Sequence, residues 1–211
     1  MKRSLALLAS SFTLCLAGIA VAAPPADAWD IGPVIKGKNY SVGMPTTLSP
    51  SREGAYFDFP GPTARDGHVH YVTLPVRDLR GARSVTLRYR IDAAHGARFV
   101  PQEHTDRTAM LTMYLQRRGD SWTKRHPDHR WYAPASRMVA LKPGTNEVTI
   151  RFDENWKSVF SNDRTKDPRA FEAALRDAAR IGFVFGSQGG RGHGVYATRP
   201  ARFTVLDFRI D

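Results

Sequence analysis

Residues 83–92 read "RSVTLRYRID", and the alternation within them decides the fold. Val85, Leu87, Tyr89 and Ile91 fall on one side, with Ser84, Thr86, Arg88 and Arg90 on the other. A period of two describes a β-strand with one face on a core and one toward water. The pattern recurs in both directions. In "TAMLTMYLQRR", residues 108–118, the inward set is Ala109, Leu111, Met113 and Leu115. In "NEVTIRFD", residues 146–153, it is Val148, Ile150 and Phe152. The turn "KPGTN" (142–146) precedes that strand, and "RMVALK" (137–142) reads as a shorter partner. "AYFDFP" (55–60) and "HVHYVTLP" (68–75) supply two more strands upstream. Downstream, Ile181, Phe183 and Phe185 alternate in "IGFVFG", and "RFTVLDFRI" places Leu206, Phe208 and Ile210 on one face.

One helix stands out. Asp167 can cap it, Pro168 suits its first position, and Phe171, Ala174, Leu175 and Ala178 share a face. It leads straight into "IGFVFG". Residues 23–50 are rich in Pro, Gly and Ser and read as an irregular lead-in, with room for a short edge strand from Asn39 to Val42. About eight short strands, one helix and no βαβ rhythm predict an all-β sandwich of the jelly-roll type, formed as one domain by residues 51–211.

The first 22 residues read as a signal peptide. Lys2 and Arg3 open it, Leu5 to Val21 is mostly apolar, and Ala20 and Ala22 place small residues where a signal peptidase reads them. A cut after Ala23 would put Pro24 first, so the cut is expected after Ala22. Leu14 stands before Cys15 where lipidation requires a small residue. The apolar run, with Ser10, Ser11 and Thr13, is short for a membrane span. An exported protein, periplasmic or secreted, is expected. Cys15 is the sole cysteine, so the mature chain would hold no disulfide, no thiol nucleophile and no cysteine-ligated zinc.

Without Lys2 and Arg3 the 31 basic residues fall to 29, against 20 acidic ones. Such a surface concentrates anions. For an exported chain these are acidic polysaccharide, lipopolysaccharide or phospholipid head groups rather than nucleic acid. Solvated arginines with no dedicated polyanion are the plainer alternative.

The glycine cluster 189–194 follows a strand but opens no helix, and no Lys-Ser/Thr pair follows it, so it is not a phosphate loop. Phe185 in "FGSQG" stands where a nucleophile elbow needs glycine. A tight turn is expected, from which Arg191 and His193 can point into a site, although a surface position also suits His193.

The helix, then "RIGFVFG", "GHGVYA" and "ARFTVLDFRI", resemble the last third of galactose-binding-domain-like jelly rolls, a likeness of pattern over residues 80–210. These modules accompany polysaccharide-degrading enzymes. The resemblance implies ligands on end loops or on one sheet face, with a structural calcium in some members. No other cofactor is expected.

His68 and His70 share a strand face at metal-ligand spacing but lack a third ligand, so an outer-face position fits them better. His126 and His129, around Asp128, also permit a metal. Gln102 and His104 follow the Gln-x-His order of alginate-lyase-type jelly rolls and, with Tyr114 or Tyr132, would serve a polyuronate lyase. The other strand motifs of that family are absent. Asp153 and Glu154 show no evident partner among Glu103 and Asp128 for glycoside hydrolysis.

The segment "QRRGDSWTKRHPDHRWYAP", residues 116–134, reads as a long polar loop mixing aromatic and basic side chains. Aromatic faces suit sugar rings, and arginine forks suit carboxylate or sulfate. The expected ligand residues are Trp122, Arg125, His129, Arg130, Trp131 and Tyr132, with Trp156 from a second loop. The alternative is that the tryptophans pin the loop to the sandwich. The leading expectation is an exported, non-catalytic carbohydrate-binding protein for an acidic polysaccharide. A polyuronate lyase and an envelope accessory protein on anionic surfaces are the alternatives.

Overall fold

The strand expected over residues 83–92 runs from Ser84 to Ala93, and its apolar set is buried as the alternation requires: Val85, Leu87, Tyr89 and Ile91. The computed structural model describes residues 23–62, 67–160 and 162–211. The expected signal peptide, residues 1–22, lies outside them. In chain order the strands are β1 (Asp30–Gly32), β2 (Val34–Ile35), β3 (Lys38–Asn39), β4 (Ser49–Pro50), β5 (Ala55–Asp58), β6 (Tyr71–Pro75), β7 (Ser84–Ala93) and β8 (Phe99–Pro101). They continue with β9 (Met110–Arg117), β10 (Arg130–Tyr132), β11 (Val139–Ala140), β12 (Gly144–Arg151) and β13 (Lys157–Ser158). The helix α1 (Pro168–Arg176), β14 (Ala178–Gly186), β15 (Val195–Ala197) and β16 (Ala201–Ile210) complete the described chain.

Two antiparallel sheets face each other. One follows the order β1-β6-β14-β9-β10-β13, with β11 also on β9; the other is β12-β7-β16-β5-β4. Strands distant in sequence lie side by side, as β14 does between β6 and β9, which is the connectivity of a jelly-roll sandwich. Ladder partners share a face, so register carries the core from strand to strand. Phe183 lies opposite both Val72 and Met113, and Ile181 opposite Leu74 and Leu115. From the other sheet Phe203 stacks on Phe57 at 5.3 Å and on Tyr89 at 4.7 Å.

The helix begins where expected: the Asp167 side chain accepts the Ala170 N–H at 3.0 Å, and Pro168 sits in the first turn. Phe171 and Ala174 are buried, whereas Ala178 already belongs to β14.

Two local expectations differ from the structure. In β16 a register shift between Val205 and Asp207 breaks the alternation. Phe203 and Val205 are buried before it and Phe208 after it, while Leu206 is half-buried. An extra residue in a strand changes which parity faces inward. The 23–50 segment also carries structure. Its β1 pairs with β6, and Trp29 is fully buried against Phe208 (5.1 Å) and Phe183 (5.6 Å). The edge strand sought from Asn39 to Val42 is instead the β2–β3 hairpin, tied down by Asn39 Nδ2 donating to the Ile31 carbonyl at 2.8 Å. Strands of two or three residues are too short to display a period.

Gly182, central in β14, has no room for a side chain: an added Cβ would lie 2.8 Å from Thr73 Cα and closer still to the Val72 carbonyl oxygen. Because the obstruction is backbone, Gly182→Ala is expected to lower stability by about 1–3 kcal/mol. Urea denaturation should show a reduced midpoint at unchanged slope. An unaltered midpoint would mean that β6 can move aside.

Candidate functional site

The side of the seven-stranded sheet turned away from the core gathers an aromatic group. Alternation sends Tyr71 and Thr73 of β6, Tyr114 and Gln116 of β9, Arg130 and Tyr132 of β10, and Arg180 of β14 to this face. Register then brings Tyr132 opposite Tyr114, Tyr114 opposite Gly182, and Tyr71 opposite Val184. Tyr71 meets Tyr114 edge-on at 4.8 Å, and Tyr114 lies 5.3 Å from Tyr132. The Tyr71 and Tyr132 hydroxyls share a hydrogen bond of 2.9 Å. Burial raises the pKa of all three phenols, so they stay protonated at neutral pH. The Tyr114 hydroxyl has no hydrogen-bond partner among the described residues.

Residues 118–129 fold over this floor. Asp120 organises them: its side chain accepts from Gln116 Nε2 at 2.8 Å and from the Trp122 N–H at 3.0 Å, and pairs with Arg130 Nε at 3.2 Å. Trp122 is held at φ 60°, a region unfavourable for a bulky residue. Its ring stands edge-on to Tyr71 at 5.2 Å, with the Arg130 guanidinium 5.0 Å over it. Trp122 is half-buried, while Trp29, Trp131 and Trp156 are fully buried.

Two cavities share Tyr71 in their linings. The first, about 250 Å³, is walled by Ile31, Pro33 and Val34 with Tyr71, Tyr114 and Trp122. Its charged lining residues, Asp30 and Arg180, form an ion pair with each other. The second, about 440 Å³, is lined by Arg130, Arg191, Lys157 and His193 beside Tyr132 and Gln188, with no carboxylate among its lining residues. Arg130 pairs with Asp120, and Lys157 with Asp163 at 2.8 Å. Arg191 differs. No ion pair of Arg191 occurs among the described residues, its Nε is buried without an acceptor, and burial lowers its pKa. Its guanidinium lies 6.0 Å over the Tyr132 ring. Three outward arginines of the other sheet are matched: Arg90 with Glu53 and Asp92, Arg202 with Asp58, Arg209 with Asp207.

The glycine cluster builds the wall that carries Arg191. It is a turn, as expected: Ser187 and Gly190 exchange backbone hydrogen bonds at 3.2 and 3.1 Å, and the Gly194 N–H returns to the Phe185 carbonyl. Gly192, at φ 75°, lies so close to Tyr71 that an added Cβ would sit 2.5 Å from ring carbon Cζ. Only glycine lets this turn settle on the tyrosine.

The expected ligand residues divide. Arg130 and Tyr132 line the second cavity and Trp122 the first. Arg125 is exposed on the loop, and His129 stacks on His126 at 4.5 Å; neither lines a cavity named above. Trp131 and Trp156 are not ligand residues but core: they flank Phe171 of the helix at 5.0 and 5.8 Å. Their indole N–H groups donate to the Asp128 and Arg151 carbonyls. The reason is parity. The presumed loop contains β10, which turns Trp131 inward, opposite Leu115, and its neighbours Arg130 and Tyr132 outward.

Tyr71, Gln188 and Lys157 also line the second cavity, in addition to the residues the sequence points to. Tyr71 could have been found as the polar-face member of "HVHYVTLP"; Lys157 and Gln188 carried no signal. His68 and His70, expected on an outer face, are buried beneath the glycine turn. Burial pushes His70 down to about 4, and its Nε2 lies 3.1 Å from the Gln102 side-chain oxygen. No cluster of three His, Cys, Asp or Glu suited to a metal occurs among the described residues. Gln102 and His104 line neither tyrosine-walled cavity. Asp153 and Glu154 are paired with Arg151 and Arg137, and Glu103 with His193 at 2.7 Å.

No family model matches the chain, and no curated protein matches it. Among solved structures the chain is similar to one described as "Solution structure, dynamics and binding studies of CtCBM11", with 10% identity over 89% of this chain and 98% of that one, at a TM-score of 0.37.

Proposed function

We propose that this is an exported, non-catalytic carbohydrate-binding protein that holds an acidic polysaccharide on the outer face of its seven-stranded sheet. The observation that carries this reading is the unpaired, half-buried guanidinium of Arg191 above Tyr132, in a cavity lined by three further basic residues and no carboxylate. A cation partly removed from water and left without a counter-charge is costly, and an incoming carboxylate or sulfate supplies that charge. Tyr71 and Tyr132 line that cavity at only 7% and 4% exposure, so they supply its apolar floor rather than an open stacking face. What speaks against the lyase alternative is that Gln102 and His104 line neither cavity beside these tyrosines.

Calorimetry against alginate, pectate and a sulfated glycan tests the proposal. Arg191→Gln is expected to weaken binding about 10–100-fold, the value of a hydrogen bond to a charged group. Added salt should weaken binding in part without abolishing it, since ring contacts persist when exposed charges are screened. The absence of binding to every acidic glycan would falsify the assignment.

A further inference from the structure

We infer that this face carries two unlike subsites in succession, one for an anionic sugar residue and one for an uncharged ring. The ligand is then a heteropolysaccharide whose charges fall on non-consecutive residues. This rests on the carbohydrate-binding reading above and adds the class of glycan.

Tyr71 lines both cavities, so a chain crossing the face passes directly from one to the other. The cavities differ in what they can neutralise. The second offers Arg191, with Arg130 and Lys157 beside it. The first offers no spare cation: Arg180 is bound to Asp30 and also donates from Nε to Thr73 Oγ1 at 2.8 Å. A carboxylate entering there would meet Asp30 and displace its partner, an unfavourable exchange at close range. An uncharged ring meets a better surface, lined by Trp122, Ile31, Pro33 and Val34. Trp122 is held at its positive φ by the Asp120 side chain, so its ring is in place before any ligand arrives. The first cavity, about 250 Å³, falls just below the ligand-cleft range of about 300–1,000 Å³ and the second, about 440 Å³, lies near its lower end, so each suits one ring.

Trp29, Trp131 and Trp156 are fully buried, so a ligand-induced change in tryptophan emission or in acrylamide quenching reports on Trp122. Two probes of equal length separate the possibilities: a hyaluronan oligosaccharide, in which uronate alternates with an uncharged amino sugar, and an oligogalacturonate, charged at every residue. The alternating probe is expected to bind about tenfold more tightly and to shield Trp122 from quencher. Trp122→Ala should weaken hyaluronan binding about tenfold, the scale of one buried ring contact, and leave oligogalacturonate binding little changed. Asp30→Asn provides a gain of function: it frees Arg180, so affinity for oligogalacturonate should rise.

Equal affinity for the two probes, with no protection of Trp122 and no gain in Asp30→Asn, overturns the two-subsite inference. If that result comes with binding that still depends on Arg191, the acidic-glycan assignment survives alone. If neither probe binds and no other acidic glycan does, the assignment itself fails.

Discussion

Trp131→Ala is expected to cost about 3–5 kcal/mol of folding stability, the range for truncating a buried tryptophan. The ring is fully buried, meets Phe171 at 5.0 Å and donates from Nε1 to the Asp128 carbonyl at 2.8 Å. Truncation opens a cavity under the helix and removes the donor to that carbonyl. Against a total stability of about 5–15 kcal/mol, the loss is a large share. Thermal and urea transitions should shift strongly, and near-ultraviolet dichroism should weaken. Trp156→Ala should behave alike, since Trp156 packs on the same Phe171 and on Phe152 at 5.7 Å. Trp122→Ala is the contrast. Its ring is half-buried in a loop, so its stability should change by about 1 kcal/mol or less. A Trp131→Ala protein as stable as the parent but unable to bind glycan would return this residue to the recognition surface.

The second large effect is expected in acid. Burial holds His70 at about 4, with His68 and His193 adding like-charge repulsion, against an ordinary value near 6.5. In the window between these values the unfolded chain binds a proton at His70 that the folded chain does not. Stability therefore falls as pH drops from about 6.5 to about 4, levels off below that, and carries no His70 penalty above about 6.5. The shift corresponds to about 3 kcal/mol. Urea midpoints measured from pH 7 to pH 4 should trace this slope, and His70→Gln should flatten it. Asp78, held at about 2 by hydrogen bonds from Arg80, titrates lower; burial also lowers His129, so the His70→Gln comparison is what isolates the His70 share. A slope unchanged in His70→Gln would place the acid sensitivity elsewhere.

Both expectations concern residues whose roles the sequence left ambiguous. The long strands were legible because eight to ten residues display several periods. Val85 to Ile91, Ala109 to Leu115 and Val148 to Phe152 are buried in the sets their alternation implies. The helix start was legible from Asp167 and Pro168, since capping is local chemistry. β10 was not. Three residues show no period, so the parity separating Trp131 from Arg130 and Tyr132 was hidden. In β16 the parity changed within the strand, because a register shift is set by the partner β7.

The site followed the same division. Basic and aromatic residue types pointed to this region of the chain, and Trp122, Arg130 and Tyr132 do line its cavities. Tyr71 and Arg191 came to it from segments 40 or more residues from that loop, brought there by strand order and by a glycine turn settling on a ring.

By itself, the sequence determined the sandwich, the inward faces of its long strands and the place of its helix, because periodicity and capping act over a few neighbouring residues. Packing between distant segments settled which tryptophans are core, which ring stands open, and that the half-buried Arg191 of the second cavity has no ion pair among the described residues. Exposure and charge pairing are properties of what packs alongside, and those neighbours lie far away along the chain.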